Sequence, residues 1–284
     1  MKDLIAKESV PMACIKILGS SYLRATALRC TASIFRNFFF LQYRSAFLPG
    51  RIPVASVDHP LDNKIPFLPE KVNVYLDFVA FWVRSLNFIL RHCGRRALEP
   101  VRSFLESMGQ LYATAAEIYG KHLSTTERPF YIRRPRFLLI HTVDPHLMCI
   151  PSLHVMVVIR AYTLFREIAK NLGDDFSSQI EELRLGALEI TEAVLYVKQH
   201  SVNCIPAALY AMTCFSPKLF PPEEAENFVS GIFSNVKNPN KTDAAEIRSH
   251  ILKLYRRFLS ETKPGEAWTK PLFAFLKEFP YKQL

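Results

Sequence analysis

Apolar positions recur along this chain at three- and four-residue spacings, in blocks separated by proline- and arginine-rich breaks. Residues 72–90, 104–119, 153–170, 179–197 and 200–215 each predict a helix, and the phenylalanine-rich run 35–47 predicts a sixth. Gly120 closes the block 104–119, and Gly173-Asp174-Asp175 turns the chain after 153–170. Five prolines between 48 and 70 (Pro49, Pro53, Pro60, Pro66 and Pro69) predict an extended connection, because proline disfavours helix in the residue before it. Residues 121–152 read as one long loop. After Pro217, Pro221 and Pro222 the chain turns polar, with a basic amphipathic helix over 244–261 ended by Pro264-Gly265. The expectation is an all-α fold: a six-helix bundle over 35–217, preceded by a basic interfacial segment over 1–34 and followed by a basic tail over 218–284.

Composition sharpens this picture. Of 284 residues 49% are hydrophobic, and nine glycines favour helices over a sheet sandwich. Mean hydropathy is +0.06, between ordinary soluble enzymes and most polytopic membrane proteins. The net charge of +10 suits anionic partners. Nucleic acid is not expected among them, since no zinc-finger, homeodomain or RNA-binding signature is present. Six scattered cysteines without a Cys-x-x-Cys pair define no zinc site, and no cleavable signal is legible at the N-terminus.

Most of the helical blocks carry charge, and a charge at the middle of a span costs about 2.5–3.5 kcal/mol. Only 199–217 is long enough and free of formal charge. The arginines at 91, 95, 96 and 102 nevertheless suit a cytoplasmic loop. That charge placement leads to the expectation of an integral membrane protein whose inward-turned charges are shared between helices. The loop 121–152 would then open on the extracytoplasmic face.

The candidate chemistry lies at two helix starts. Cys149-Ile150-Pro151-Ser152-Leu153-His154 and Lys198-Gln199-His200 each set a histidine before an apolar run. Two imidazoles brought together can divide nucleophilic and acid–base work on one phosphate, because histidine changes charge near neutral pH. Lys121, Arg128, Arg133, Arg134 and Arg136 supply cations in the preceding loop.

Lys121-(six residues)-Arg128-Pro129, then Pro151-Ser152-Leu153-His154, then Lys198-Gln199-His200, resembles the three-part signature of the type 2 phosphatidic acid phosphatase superfamily, over roughly 35–216. Leu153 before the histidine, the Lys-Gln-His triplet and Asp62-Asn63-Lys64-Ile65-Pro66-Phe67-Leu68-Pro69 resemble its inositolphosphotransferase branch, related to inositol-phosphorylceramide synthases. The resemblance implies a membrane hydrolase or phosphotransferase acting on a lipid phosphate, with no cofactor and no metal. It implies that His200 attacks phosphorus to form a phosphohistidine and that His154 serves as acid and base. Lys121, Arg128, Arg134, Ser152 and Lys198 would bind the phosphoryl oxygens.

One departure stands out. The family places an aspartate four residues after the attacking histidine, and this chain has Cys204 there. Asp144 or Glu192, arriving through the fold, is the expected replacement. The alternative is a degenerate member that binds phospholipid headgroups or scaffolds a membrane complex.

Overall fold

A computed structural model describes residues 3–48 and 50–282. Met1, Lys2, Pro49, Gln283 and Leu284, which belong to the expected N-terminal segment, proline-rich connection and tail, lie outside the described residues. The fold is mostly helical, as the spacing predicts. In chain order the first helices are α1 (Val10–Gly19), α2 (Ser21–Ile34) and, after a π-helical stretch at Phe35–Phe40, α3 (Leu41–Phe47). Strand β1 (Val54–Ser56) and two 3₁₀ turns lead to α4 (Val72–Leu76), α5 (Phe78–Cys93) and α6 (Leu98–Tyr119). The expected long loop holds β2 (Leu123–Thr125) and α7 (Pro135–Val143). Then follow α8 (Leu153–Leu172), α9 (Ser177–Tyr196), α10 (Cys204–Phe215), α11 (Pro222–Gly231), α12 (Lys241–Glu261), α13 (Lys270–Leu276) and β3 (Tyr281–Lys282).

One core joins all of this. α8 is apolar on most faces and is packed by α5, α6, α9 and α10. The N-terminal segment does not lie off the bundle. Ser9 and Ser20 cap α1 and α2, whose Ala13, Ile17, Leu23 and Cys30 are buried against α5 and α6. Gly109 lets α2 approach α6 closely, and Ser33 Oγ donates to the Gly109 carbonyl at 2.7 Å. The C-terminal segment is likewise part of the core: α12 buries Ile247, Ile251, Tyr255 and Phe258, and it packs against α10. A small sheet ties the C-terminal end to the middle of the chain, with β1 central, β2 parallel to it and β3 antiparallel.

The charges inside the helical blocks find partners within the protein. Helix 72–90 breaks at Asp77, whose carboxylate accepts both Arg84 terminal nitrogens, the first at 2.9 Å. Arg91 pairs with Asp3 at 2.7 Å and Glu8 at 2.6 Å, and Arg96 pairs with Asp174 at 3.1 Å. Arg160 is held between the hydroxyls of Ser107 and Ser216, each at 2.7 Å. No helix among the described residues is long and apolar enough to cross a membrane.

Glu192, on α9, accepts the Phe233 amide at 2.6 Å, and burial pushes its carboxyl up to about 7 from an ordinary 4.5. A folded-state pKa above the unfolded one means that stability falls as pH rises from about 4.5 to 7. Glu192→Gln keeps the acceptor and removes that slope. Urea unfolding at pH 8 should find the variant about 2–3 kcal/mol more stable, with the difference closing by pH 4.5.

Candidate functional site

His154 stands in the first turn of α8 and His200 in the 197–203 turn between α9 and α10. Their ring centroids are 5.5 Å apart with planes at 70°. The sequence separates these imidazoles by forty-six positions, and the packing of α8 against α9 and α10 brings them together. Both border a small, partly open cavity of about 30 Å³, also lined by Gln42, Tyr75, Asp144 and His146. That is room for roughly one water molecule.

Local structure explains how each ring is held. His154 lies between Tyr75 and Phe78, with ring centroids at 4.4 and 4.1 Å. Ser152 occupies the cap position of α8 but makes no side-chain cap bond; its Oγ faces His200 Nε2 at 3.4 Å. The amides of Gln199 and His200 both donate to the Val194 carbonyl, which fixes the turn to the end of α9. Asp62 reaches across from the proline-rich connection, its Oδ1 accepting the Val202 amide at 2.8 Å. Lys198, at φ +55°, returns the contact by donating its ammonium to the carbonyls of Asp62 and, at 2.6 Å, Ile65.

Of the expected cations, Arg128 bonds two residues that line the cavity of the pair, Gln199 and Asp144. Its guanidinium donates to Gln199 Oε1 at 3.2 Å and to the Asp144 carbonyl at 3.0 Å, and lies 3.8 Å from the Asp144 carboxylate. The other cations lie elsewhere. The Lys121 ammonium sits 5.5 Å from the Phe273 ring on α13, and no contact among the described residues joins it to either histidine. Arg134 is exposed at the start of α7, as is Arg133 beside it, and Arg136 donates to Asn73 Oδ1 at 2.6 Å. Lys198 gives its donors to the two carbonyls just named and borders a neighbouring cleft with Arg128 rather than the cavity.

Cys204 stands four residues after His200, where the resembled family has an aspartate. Cys204 is fully buried and its carbonyl accepts the Ser152 amide, while His200 Nδ1 is buried without a hydrogen-bond partner among the described residues. Of the two expected replacements, Glu192 is committed to Phe233. Asp144 lines the same cavity and its charge favours a proton on His200, but its carboxylate bonds Gln42 and the His146 amide.

His146 is a third imidazole that sequence reading passes over. At φ +59°, its Nε2 contacts Thr126 Oγ1 at 2.8 Å and Cys149 Sγ at 3.7 Å. The signal that could have found it is Asp144-Pro145-His146, eight residues ahead of His154. Among the described residues no group of histidine, cysteine and carboxylate side chains is placed to hold a metal ion.

Burial sets the protonation of the pair. His200 is pushed down to about 3, first by desolvation and then by the neighbouring His146, against opposing help from Asp144 and the Cys149 backbone. His154 is held well below its ordinary value by desolvation and by His200. Both rings are therefore neutral at physiological pH, and a neutral imidazole has the free electron pair that a nucleophile needs.

Comparison with family models, with curated proteins and with solved structures finds no match.

Because both folded-state pKa values are depressed, the native protein takes up fewer protons than the unfolded chain below pH 6.5. Stability is full above that pH and declines as pH falls toward about 3. His154→Phe, which keeps a ring against Tyr75 and Phe78, should flatten the loss. Urea midpoints at pH 7 and 5 should differ less in the variant than in the parent.

Proposed function

We propose that this chain is a phosphohydrolase or phosphotransferase acting on a lipid phosphate through a phosphohistidine at His200. The observation that carries the reading is the 5.5 Å approach of the two imidazoles over one cavity. His200, whose Nδ1 is buried and meets no hydrogen-bond geometry among the described residues, also lines that cavity, and a buried polar atom of this kind favours a polar occupant.

A ring nitrogen of His200 attacks phosphorus as the bond from phosphorus to the ester oxygen breaks. His154 gives the departing oxygen its proton. That proton arrives with a substrate bound as the monoanion, whose negative charge raises the basicity of His154 above its resting value. Water or an acceptor alcohol then attacks phosphorus, the phosphorus–nitrogen bond breaks, and His154 takes the proton back. Arg128 supplies a positive charge beside the cavity, and the first turn of α8 adds the positive end of its dipole. A phosphoryl group is larger than one water, so the wall formed by Gln42 and Asp144 has to part to admit it.

The second reading, a non-catalytic binder of phosphorylated headgroups, draws on the absence of a carboxylate at His200 Nδ1. Loss of an orienting carboxylate costs about 10⁴ in rate in serine proteases.

Phosphate release from short-chain phosphatidic acid separates the two. His200→Ala should abolish turnover, and His154→Ala should slow it by about 10²–10⁴ while letting an acid-labile phosphohistidine accumulate. Equal release by the parent and His200→Ala would remove the enzymatic reading.

A further inference from the structure

Two segments that wall the histidine cavity turn large apolar side chains to solvent. Gln42 belongs to α3, and Asp144 directly follows α7. The two helices are joined by Tyr43 Oη donating to the Val143 carbonyl at 2.6 Å and by the Gln42–Asp144 bond. On the first segment Phe40 is 57% exposed and Phe47 79%; on the second, Phe130 is 82% exposed and Leu139 55%. Isolated exposed apolar residues are ordinary, but a group of them on α3, on α7 and on the residues leading into each, 35–40 and 130–134, marks a contact surface.

Charge identifies the occupant. Residues 34–52 carry Arg36, Arg44 and Arg51, and residues 129–143 carry Arg133, Arg134 and Arg136, with no aspartate or glutamate in either stretch. All six arginines are exposed and none forms an ion pair among the described residues, whereas Arg91, Arg96, Arg166 and Arg257 are matched to carboxylates. Aromatic and aliphatic side chains flanked by unmatched arginines are complementary to an anionic bilayer. The rings reach the acyl boundary and the guanidinium groups meet lipid phosphates. A protein partner would need carboxylates set against all six arginines, and a second copy would set arginine against arginine.

The geometry points to α3 and α7 as a docking face that holds this protein on the surface of an anionic phospholipid membrane. The face does not depend on the histidine chemistry. Docking nonetheless sets the bilayer against the two segments that close the cavity.

Flotation of the full chain with vesicles tests it. Binding is expected to vesicles of phosphatidylcholine with about one-third phosphatidylserine, to be much weaker with phosphatidylcholine alone, and to fall with added salt. Phe40→Ser/Phe47→Ser/Leu139→Ser and, separately, Arg44→Glu/Arg133→Glu should each reduce binding at least tenfold. Their far-ultraviolet circular dichroism and melting should match the parent, since these side chains are exposed. The proposal is overturned if anionic vesicles do not bind, or if both variants bind as the parent does. It is also overturned if the apolar variant turns a parent dimer into a monomer in sedimentation while leaving vesicle binding intact. Phosphate release is not the readout, so an inactive protein that floats with the vesicles would sustain the docking face while removing the enzymatic reading.

Discussion

The reciprocal clamp between Asp62 and the 197–203 turn is the constraint on which the site depends. Asp62 takes the Val202 amide, and Lys198 returns its ammonium to the Asp62 and Ile65 carbonyls. Leu68 reinforces it by donating to the Tyr196 carbonyl at 3.0 Å. A turn with a residue at positive φ would relax if left alone. Held from both sides, it delivers His200 to the start of α8, where Ser152 and His154 wait. Burial then does the rest, keeping both rings neutral.

Much of this organisation is legible in the chain, because helix spacing and proline breaks are local signals. The blocks at 153–170 and 179–197 correspond closely to α8 and α9, while the block at 200–215 starts four residues too early: α10 begins at Cys204, and His200 stands in the turn before it rather than at a helix start. The motif resemblance set His154 and His200 as a pair, and they meet. The cations were less legible. A spacing such as Lys121 to Arg128 cannot tell which side chain the fold will spend elsewhere, and Lys121 ends on Phe273 while Lys198 ends on carbonyls. The small sheet was invisible for a related reason: three-residue strands at 54, 123 and 281 are defined by each other, not by their own sequence.

The charges within the helical blocks show the same division between local pattern and long-range partner. Arg91, Arg96 and Arg102 read as a loop cluster, yet they are answered by Asp3 and Glu8, by Asp174, and by Glu99 and Glu106. Sequence distance hides most of these pairs. The ends of the chain, which composition sets apart from the bundle, supply the partners for Arg91 and a strand for the sheet.

Arg160 has a mechanical consequence. Burial lowers its pKa only to about 10, so it stays charged, and a half-buried cation will not lightly surrender the two hydroxyls that solvate it. Ser107 belongs to α6 and Ser216 follows α10, so this single side chain rivets three long helices across the middle of the protein. Neither α3, which carries Gln42, nor α7, which ends just before Asp144, shares that contact.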